Sequence, residues 1–165
     1  MAKATPTTGA GTATEQPGTD AAAPVSVLAC AECGKRNRIM PSARGAPHCG
    51  SCGKPLPWVV NATDDTFDVE ARSSVAVLVD LWAPWCSPCR IVGPIVEELS
   101  REFAGRLKVL KVNVDDNQRT AMRFEARSIP TLVVLRDGRP VDRFVGALPR
   151  SELRVRLTPH LLRRA

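Results

Sequence analysis

Six cysteines carry the clearest chemistry in this 165-residue chain, and they fall into three C-x-x-C pairs. The pairs are Cys30 with Cys33, Cys49 with Cys52, and Cys86 with Cys89. A two-residue gap lets both sulfurs face one point, so the same spacing suits either a shared metal ion or a reversible disulfide. The residues around each pair therefore have to distinguish the two uses.

The first two pairs together have the spacing C-x2-C-x15-C-x2-C, which is typical of a tetrahedral four-thiolate metal site. Gly34 and Gly53 each follow the second cysteine of a pair and permit a tight turn that points backbone N–H groups at the thiolates. Residues 25–57 are too few to fold on an apolar core, so metal binding would supply most of their stability. Since the segment lacks aromatic residues that shield iron–thiolate centres, we predict one structural zinc ion per chain.

Two alternatives stay open for these four cysteines. They could form two disulfides, or His48 could replace one sulfur ligand. The N-terminus lacks the apolar stretch of a secretory signal, so we expect a cytoplasmic protein, in which thiols stay reduced and metal ligation is favoured. With four cysteines available, we expect His48 to be an exposed neighbour of the site.

The third pair lies in the sequence Trp-Ala-Pro-Trp-Cys-Ser-Pro-Cys at 82–89, between a buried strand and the start of a helix. The unpaired amides and the macrodipole at a helix N-terminus favour a thiolate, which predicts a lowered pKa for Cys86. Cys89 lies one turn further in, within disulfide reach and more shielded. We therefore predict that Cys86 attacks and Cys89 resolves. The alternative, a structural metal knuckle, has no further cysteine pair to complete it.

These residues must be positioned by the elements that follow Trp58, where apolar runs alternate with amphipathic stretches. The order β-α-β-α-β-α-β-β-α predicts parallel crossover units and a final antiparallel hairpin, hence an α/β fold with a mixed central sheet flanked by helices. Strands are predicted at 58–61, 75–82, 107–114, 131–135 and 141–145, and helices from Asp64 or Thr66, from Ser87, from Asn117 and from Pro149.

Two helices carry more detailed predictions. The helix from Ser87 has apolar residues at helical spacing and a stop at Gly105. Pro159 lies inside the last helix pattern, so that helix is predicted to kink or end early, with Leu161 and Leu162 less securely docked. The predicted apolar residues of the first of these helices are Ile91, Ile95, Val96, Leu99 and Phe103.

Composition divides the chain into three regions. Residues 1–24 are mostly Ala, Thr, Gly and Pro without a periodic apolar face, which predicts a disordered tail. Residues 25–57 form the predicted zinc ribbon, and residues 58–165 form the larger domain. We expect the ribbon to depend on its metal ion rather than on a core shared with residues 58–165.

The net charge of +6 is concentrated in the ribbon, where residues 30–57 contain five Lys and Arg against one Glu. These cations lack interleaved aromatic residues, so solvated surface charge explains them better than nucleic-acid binding. With 44% hydrophobic and 24% charged residues the composition is globular. No apolar run approaches the roughly 18–20 residues that span a bilayer. Neither nucleic acid nor a membrane is an expected partner.

The stretch from Val75 to Cys89 resembles the active-site strand and loop of the thioredoxin family. A thioredoxin preceded by a four-cysteine ribbon is similar to the zinc-containing thioredoxin 2 type. The resemblance covers about residues 59–162 and implies a thioredoxin fold. It continues through Pro94, Lys-Val-Asn-Val-Asp at 111–115, Ser-Ile-Pro-Thr at 128–131, Asp-Gly at 137–138 and Val-Gly-Ala at 145–147.

The resemblance implies Cys86 as the nucleophile and Cys89 as the resolving thiol. It also implies that Asp80 is a buried carboxylate behind Cys89, with Lys111 close to it. The residues support part of this, because an aspartate inside an apolar run has no ordinary reason to be buried, and unpaired burial raises a carboxyl pKa. Such a group can relay a proton to or from Cys89.

For substrate binding, the resemblance implies a cis peptide at Ile129–Pro130 that faces the disulfide, with backbone groups of Thr131 pairing with substrate. Ser87 departs from the glycine that is commonest at its position in the family, which leaves the reduction potential open. The implied docking surface comprises Trp85, Ile129, Gly146 and Ala147.

We therefore expect a thiol–disulfide oxidoreductase that reduces disulfides of client proteins. By resemblance, a flavin-dependent thioredoxin reductase recycles it, and the chain is expected to be a monomer. The alternative is a zinc-dependent, redox-regulated adaptor or chaperone whose thioredoxin domain holds clients. Catalytic reduction of insulin would distinguish the two.

Overall fold

The computed structural model describes residues 26–40 and 45–162, so the tail predicted for residues 1–24 lies outside the described residues. In the ribbon, β1 (Ser26–Ala29) and β2 (Arg36–Ile39) form an antiparallel pair. The first cysteine pair lies between these strands, and the second lies in a turn closed by a bridge between His48 and Pro55. Gly34 and Gly53 have φ values of +71° and +70°, as the predicted tight turns require.

The remaining elements alternate as the sequence predicts. They are β3 (Val59–Asn61), α1 (Phe67–Glu70), β4 (Ala76–Trp82), α2 (Ser87–Glu102), β5 (Leu107–Asn113), α3 (Gln118–Arg123), β6 (Thr131–Arg136), β7 (Arg139–Val145) and α4 (Arg150–Leu161). Five strands form one sheet in the order β3-β5-β4-β6-β7. Strands β3, β5 and β4 are parallel, and β6 and β7 are antiparallel to their neighbours. The predicted mixed sheet is therefore confirmed.

The central strand β4 is buried on both faces of the sheet, which explains its continuous apolar sequence. Its residues Val77, Val79 and Leu81 belong to one core, which also contains Phe67 of α1 and Phe124 after α3. Ala76 and Leu78 belong to the opposite core, beneath α2 and α4. The sheet thus holds the end of β4, and with it the third cysteine pair, between two packed layers.

The ribbon shares the first of these cores, contrary to the expectation from sequence. Ile39 and Leu56 of the ribbon belong to the same buried cluster as Trp58 and Val60. Pro55 also approaches the end of α2 closely, because a Cβ added at Gly105 would lie 3.0 Å from the Pro55 Cβ. The prediction of a ribbon without a shared core is wrong. Ile39 and Leu56 are buried against the larger domain because the few apolar residues of the ribbon cannot enclose a core alone.

The buried stripe of α2 differs by one position from the prediction. Val92, Val96 and Leu99 are fully buried, and Phe103 follows them at the end of the helix. Ile91 is 63% exposed, so its predicted burial is wrong. Positions 91 and 92 differ by about 100° around a helix, and both fit an apolar spacing to residues further along. Contact with the sheet determines which of them is inside.

β5 contains a buried ion pair that the alternating sequence pattern does not indicate. The side chain of Lys108 is fully buried, and its Nζ donates to the backbone oxygen of Glu70 at 2.8 Å and to Glu70 Oε2 at 2.6 Å. The same Nζ lies 4.4 Å from the centroid of the Trp58 ring. The pair joins α1 to β5. Removing either partner would leave a buried charge unpaired, which is strongly destabilising.

Of the two outcomes predicted for the last helix, a kink or an early end, the early end is wrong. α4 continues through Pro159 to Leu161, whose side chain is buried, so the weaker docking predicted for Leu161 is wrong as well. Leu162 is 65% exposed, which agrees with the weaker docking predicted for it. Arg136 Nη1 donates to the backbone oxygen of His160 at 3.1 Å, which satisfies a carbonyl at the helix end. Within the described residues no helix is both long enough and apolar enough to cross a membrane.

Candidate active site and metal centre

Cys86 and Cys89 form a disulfide at the N-terminus of α2. Cys86 is the N-cap residue, with extended backbone angles, and its sulfur accepts a hydrogen bond from the backbone N–H of Cys89 at 3.2 Å. Pro88 lies in the first helical turn, where a missing N–H has no cost. The cap position and the helix dipole favour a thiolate on Cys86 in the reduced protein.

Burial does not distinguish the two cysteines as the sequence analysis expected. In this oxidised state Cys86 is 3% exposed and Cys89 is 6% exposed, so Cys89 is not the more shielded residue. The prediction of unequal shielding is therefore wrong for the disulfide form, because the bond places both sulfurs in one small apolar cluster with Ala83. The difference between them lies in the hydrogen bonds of the helix cap.

The peptide bond between Ile129 and Pro130 is cis, as the resemblance implies. The backbone oxygen of Ile129 lies 3.7 Å from Cys86 Sγ, so this loop lies beside the disulfide. Thr131 begins β6, and its hydroxyl donates to the backbone oxygen of Ser128. Gly146 N–H donates to the Pro130 oxygen at 2.9 Å, which attaches the loop after β7 to the cis-proline loop.

Apolar surface is exposed around these loops. Trp85 is 66% exposed, and its Nε1 donates to the two carboxylate oxygens of Asp115 at 3.0 and 3.2 Å. Ala147 is exposed, and Val145, next to Gly146, is 52% exposed. Asp115 and Val145 were not predicted as site residues. An indole N–H usually has a hydrogen-bond acceptor, so an acceptor near Trp85 could be expected. The local sequence does not indicate that Asp115 is that acceptor.

Asp80 lies on β4 and is 2% exposed, as predicted. Its Oδ1 has no hydrogen-bond partner among the described residues. Burial raises the pKa of Asp80 to about 6, while the positive charge of Lys111 acts to lower it and the negative charge of Glu97 acts to raise it. The predicted direction of the shift is confirmed. A group that takes up and releases a proton during catalysis works best when its pKa is close to the working pH, and a pKa of about 6 is close to neutral pH.

A cavity of about 270 Å³ brings Asp80 and Lys111 together with Cys89. Asp80 and Lys111 are register partners on adjacent strands, and Lys111 Nζ forms an ion pair with Glu97 Oε1 at 3.0 Å. Glu97 was not predicted. Helical spacing could have indicated it, because Gly93 and Glu97 follow Cys89 by four and eight residues and so share its face of α2. All three residues line the cavity.

The four ribbon cysteines converge on one point. Their sulfurs all lie within 4.8 Å of one another. The distances across the two turns are 3.6 Å from Cys30 to Cys52 and 3.5 Å from Cys33 to Cys49. A tetrahedral zinc site with zinc–sulfur bonds of about 2.3 Å places its sulfurs about 3.8 Å apart, so the residues fit the ion. None of the four is in a disulfide, unlike the alternative considered from sequence.

Hydrogen-bond donors surround the sulfur of Cys49. Backbone N–H groups of Cys52 and Ser51 lower the pKa of the Cys49 thiol to about 6. Asn37, which was not predicted as a site residue, places its Nδ2 3.6 Å from this sulfur, and its Oδ1 accepts a hydrogen bond from Gly50 N–H at 3.0 Å. Donors to a thiolate are the usual outer contacts of a metal ligand. His48 is exposed and outside the sulfur cluster, as predicted.

Residues 58–158 match the family model described as Thioredoxin, which covers more than half of the chain. The chain belongs to the thioredoxin family. It has the thioredoxin fold, and it is a thiol–disulfide oxidoreductase. The match begins after the four-cysteine ribbon, which therefore precedes the region that defines the family.

Curated thioredoxins are similar to this chain over nearly their whole length. Thioredoxin 1 of Nostoc sp. is 49% identical over 100 residues, which cover 60% of this chain and 94% of that protein. Thioredoxin of Staphylococcus haemolyticus is 47% identical over 103 residues, covering 62% and 98%. Thioredoxin of Haemophilus influenzae is 44% identical over 104 residues, covering 62% and 97%.

Proposed function

We propose that this protein is a protein-disulfide reductase with a structural zinc ribbon, similar to the zinc-containing thioredoxin 2 type. One observation carries the proposal: a disulfide at a helix N-terminus, beside a cis-proline loop, occurs in the same chain as four sulfurs arranged for one metal ion. Its proposed substrates are disulfide-containing client proteins, and its proposed location is the cytoplasm. We infer that it acts as a monomer and needs neither nucleic acid nor a membrane.

The reaction begins with the reduced pair. The Cys86 thiolate attacks one sulfur of a client disulfide, so a Cys86–client disulfide forms while the client bond breaks and its other sulfur leaves as a thiolate. The Cys89 thiolate then attacks Cys86 Sγ and releases the second client sulfur. The client gains two electrons, and the Cys86–Cys89 pair loses two. Thioredoxin reductase is the proposed source of the electrons that restore the dithiol.

Asp80 is the proposed proton acceptor for the second step. The Cys89 thiol must lose its proton before it attacks, and Asp80 faces the same cavity as Cys89. With a pKa of about 6, its carboxyl group is mostly ionised near neutral pH yet basic enough to take that proton. Protonation of Asp80 leaves Cys89 as a thiolate, and the reverse transfer follows when the pair is reduced again.

Trp85, Ile129, Gly146 and Ala147 form the proposed docking surface for clients. Trp85 contributes an exposed indole, and the cis-proline loop places Ile129 beside the disulfide. The backbone of Thr131, at the start of β6, is the proposed pairing partner for an extended client segment. Main-chain pairing with a segment of this kind tolerates many client sequences.

In the ribbon, Cys30, Cys33, Cys49 and Cys52 are the proposed zinc ligands. A bound zinc ion would neutralise the four thiolates and hold the two turns together. The turns supply the backbone N–H groups around the sulfurs, and Asn37 connects β2 to the second turn. The proposed role of the ion is structural, because four protein ligands leave no open position for a substrate.

Insulin reduction tests the proposal. Catalytic amounts of the wild-type protein should reduce insulin disulfides, and Cys86→Ser should lower the rate below about 1% because no nucleophile remains. Cys89→Ser should accumulate mixed disulfides with the client, which gel electrophoresis without reductant detects. Circular dichroism of both variants controls for folding. A wild-type protein that holds clients without reducing them, with Cys86→Ser holding them equally well, would instead support an adaptor or chaperone.

A further inference from the structure

The ammonium group of Lys111 is held by residues other than Asp80. Its Nζ forms an ion pair with Glu97 Oε1 at 3.0 Å and lies 5.7 Å from the centroid of the Trp82 ring. The described residues include no ion pair between Lys111 and Asp80, and Asp80 Oδ1 accepts no hydrogen bond among them. The ammonium group beside the redox site is thus paired with Glu97 and not with the buried carboxyl group, although both line one cavity.

α2 lies against the ammonium group and supplies the charge for this arrangement. A Cβ added at Gly93 would lie 3.9 Å from Lys111 Nζ, an ordinary contact distance, which places the ammonium group directly beside the helix. Glu97 lies one turn further along the same helix and supplies the carboxylate. Asp80 and Lys111 are register partners on β4 and β5, so a direct pair between them is the obvious competing arrangement.

We propose that Glu97 is a positioning residue of the redox site, which holds the Lys111 ammonium at the α2 side of the cavity and keeps it out of a direct ion pair with the Asp80 carboxyl group. This inference rests on the proposed proton relay between Asp80 and Cys89. A direct pair with Lys111 would stabilise the Asp80 carboxylate and weaken it as a proton acceptor. Glu97 prevents that pair, and its own negative charge acts on Asp80 in the same direction.

Other charged groups face this region, and they stay unchanged in the experiment. Arg90 of α2 lines the cavity, and its Nη2 donates to the Pro84 oxygen at 3.1 Å. On the ribbon side, Glu97 and Lys111 also line a cleft together with charged ribbon and α2 residues. A third groove, which Lys111 lines, contains charged residues near α1 and α3. The charged residues of the cleft are Glu32, Lys54 and Arg101, and those of the groove are Asp64, Asp65, Asp116 and Arg119.

The test is a carboxyl titration of Asp80 by carbon-13 NMR in the oxidised, zinc-loaded protein. Glu97→Gln should lower the pKa of Asp80 from its wild-type value by about half a unit or more, because it removes a negative charge and releases Lys111 toward Asp80. The pH midpoint of turnover should move in the same direction. Glu97→Asp, which keeps the charge, should restore most of the wild-type value.

Glu98→Gln is the matched control. It removes the same charge from the next residue, but Glu98 pairs with Arg150 at 3.3 Å and does not line the cavity. The pKa of Asp80 should stay at its wild-type value in this variant. An equal shift in both variants would overturn the proposal, since the effect would then be a general loss of negative charge on α2.

A second cycle separates positioning from the direct field of Glu97. In a Lys111→Met background, Glu97→Gln should shift the pKa of Asp80 by less than half as much as it does when Lys111 is present. A full shift in that background would overturn the positioning role. The titration needs no client protein. If Glu97→Gln lowers the pKa of Asp80 as expected but the wild-type protein fails to reduce insulin, the role of Glu97 is supported and the proposed function is contradicted.

Discussion

The chain uses the C-x-x-C spacing in two different ways. In the ribbon, each pair is followed by a glycine with positive φ, and the turn carries the backbone back so that both pairs converge. In the larger domain, the first cysteine of the pair is the N-cap of the sixteen-residue helix α2, and the second lies in its first turn. The spacing brings two sulfurs together in both regions. The backbone around the motif then determines whether two pairs converge on one point, as in the ribbon, or the two sulfurs of one pair bond to each other.

The two regions also differ in what supports them. The redox pair extends from a strand that is buried on both faces of a five-stranded sheet. The ribbon has one antiparallel strand pair and a few apolar residues, which it buries in the core of its neighbour. The proposed metal site would therefore contribute to a segment whose own core is insufficient, whereas the redox site needs only a rigid frame.

The largest expected effect distinguishes the two kinds of cysteine pair. Cys49→Ser should reduce the zinc content from about one ion per chain to nearly none, because the site loses one of four thiolates, and atomic spectroscopy measures it. The same variant should retain most of its insulin-reducing activity. His48→Ala is the control and should keep its zinc. Loss of reduction as complete as in Cys86→Ser would show that the two regions do not act separately.

Leu56→Ala tests how closely the regions are joined. Leu56 is 1% exposed in the shared core, so truncation should lower the free energy of unfolding by about 2–5 kcal/mol. The whole chain should unfold in one transition at lower denaturant, as followed by circular dichroism. Val27→Ala, at a position 47% exposed on β1, should cost less than about 1 kcal/mol. Separate melting of the ribbon, with the main transition unmoved, would contradict a shared core.

Asp80→Asn tests the cost of the buried carboxyl group. The folded pKa of about 6 lies above the ordinary 3.8, so the unfolded chain loses this proton first as the pH rises. The wild-type protein should therefore lose about 2–3 kcal/mol of stability between pH 4 and pH 6 and stay at that level above pH 6. Asp80→Asn should lack this loss, which makes it more stable at pH 7, and should turn over more slowly.

Denaturant titrations of the oxidised protein at pH 4 and pH 7 measure this difference. Asp65→Asn, which changes a carboxylate whose side chain is 84% exposed, is the control and should leave the pH dependence in place. An Asp80→Asn variant that is less stable at pH 7 and fully active would contradict both the burial cost and the relay.

The smallest expected effect concerns the docking surface. Trp85→Ala should raise the KM for insulin by about 3–10-fold with little change in kcat, because the proposed role of the exposed indole is to contact the client rather than the reacting sulfurs. Its unfolding free energy should change by less than about 1 kcal/mol. Met122→Ala, at a position 71% exposed on α3, should leave the KM unchanged. Equal KM values for both variants would place the docking surface elsewhere.

The sequence by itself determined the features that depend on neighbours along the chain. The cysteine spacings, the glycines that follow them and the apolar run of β4 are local patterns, and each led to the observed turn, helix cap or strand. The burial of Asp80 followed from the same reasoning, because an acidic residue in a strand covered on both faces has no route to water. The resemblance to thioredoxins added the cis-proline loop, which no local pattern indicates.

Only the tertiary structure decided which distant residues meet. Lys108 and Glu70 are 38 residues apart and Lys111 and Glu97 are 14 apart, and the partners of each pair lie on different elements, so no local pattern relates them. The choice between Ile91 and Val92 depends likewise on which surface lies opposite, and so does the burial of the ribbon residue Leu56 against the larger domain. Hydrophobic periodicity restricts a residue to one side of its own element, whereas its partner is set by how the elements pack.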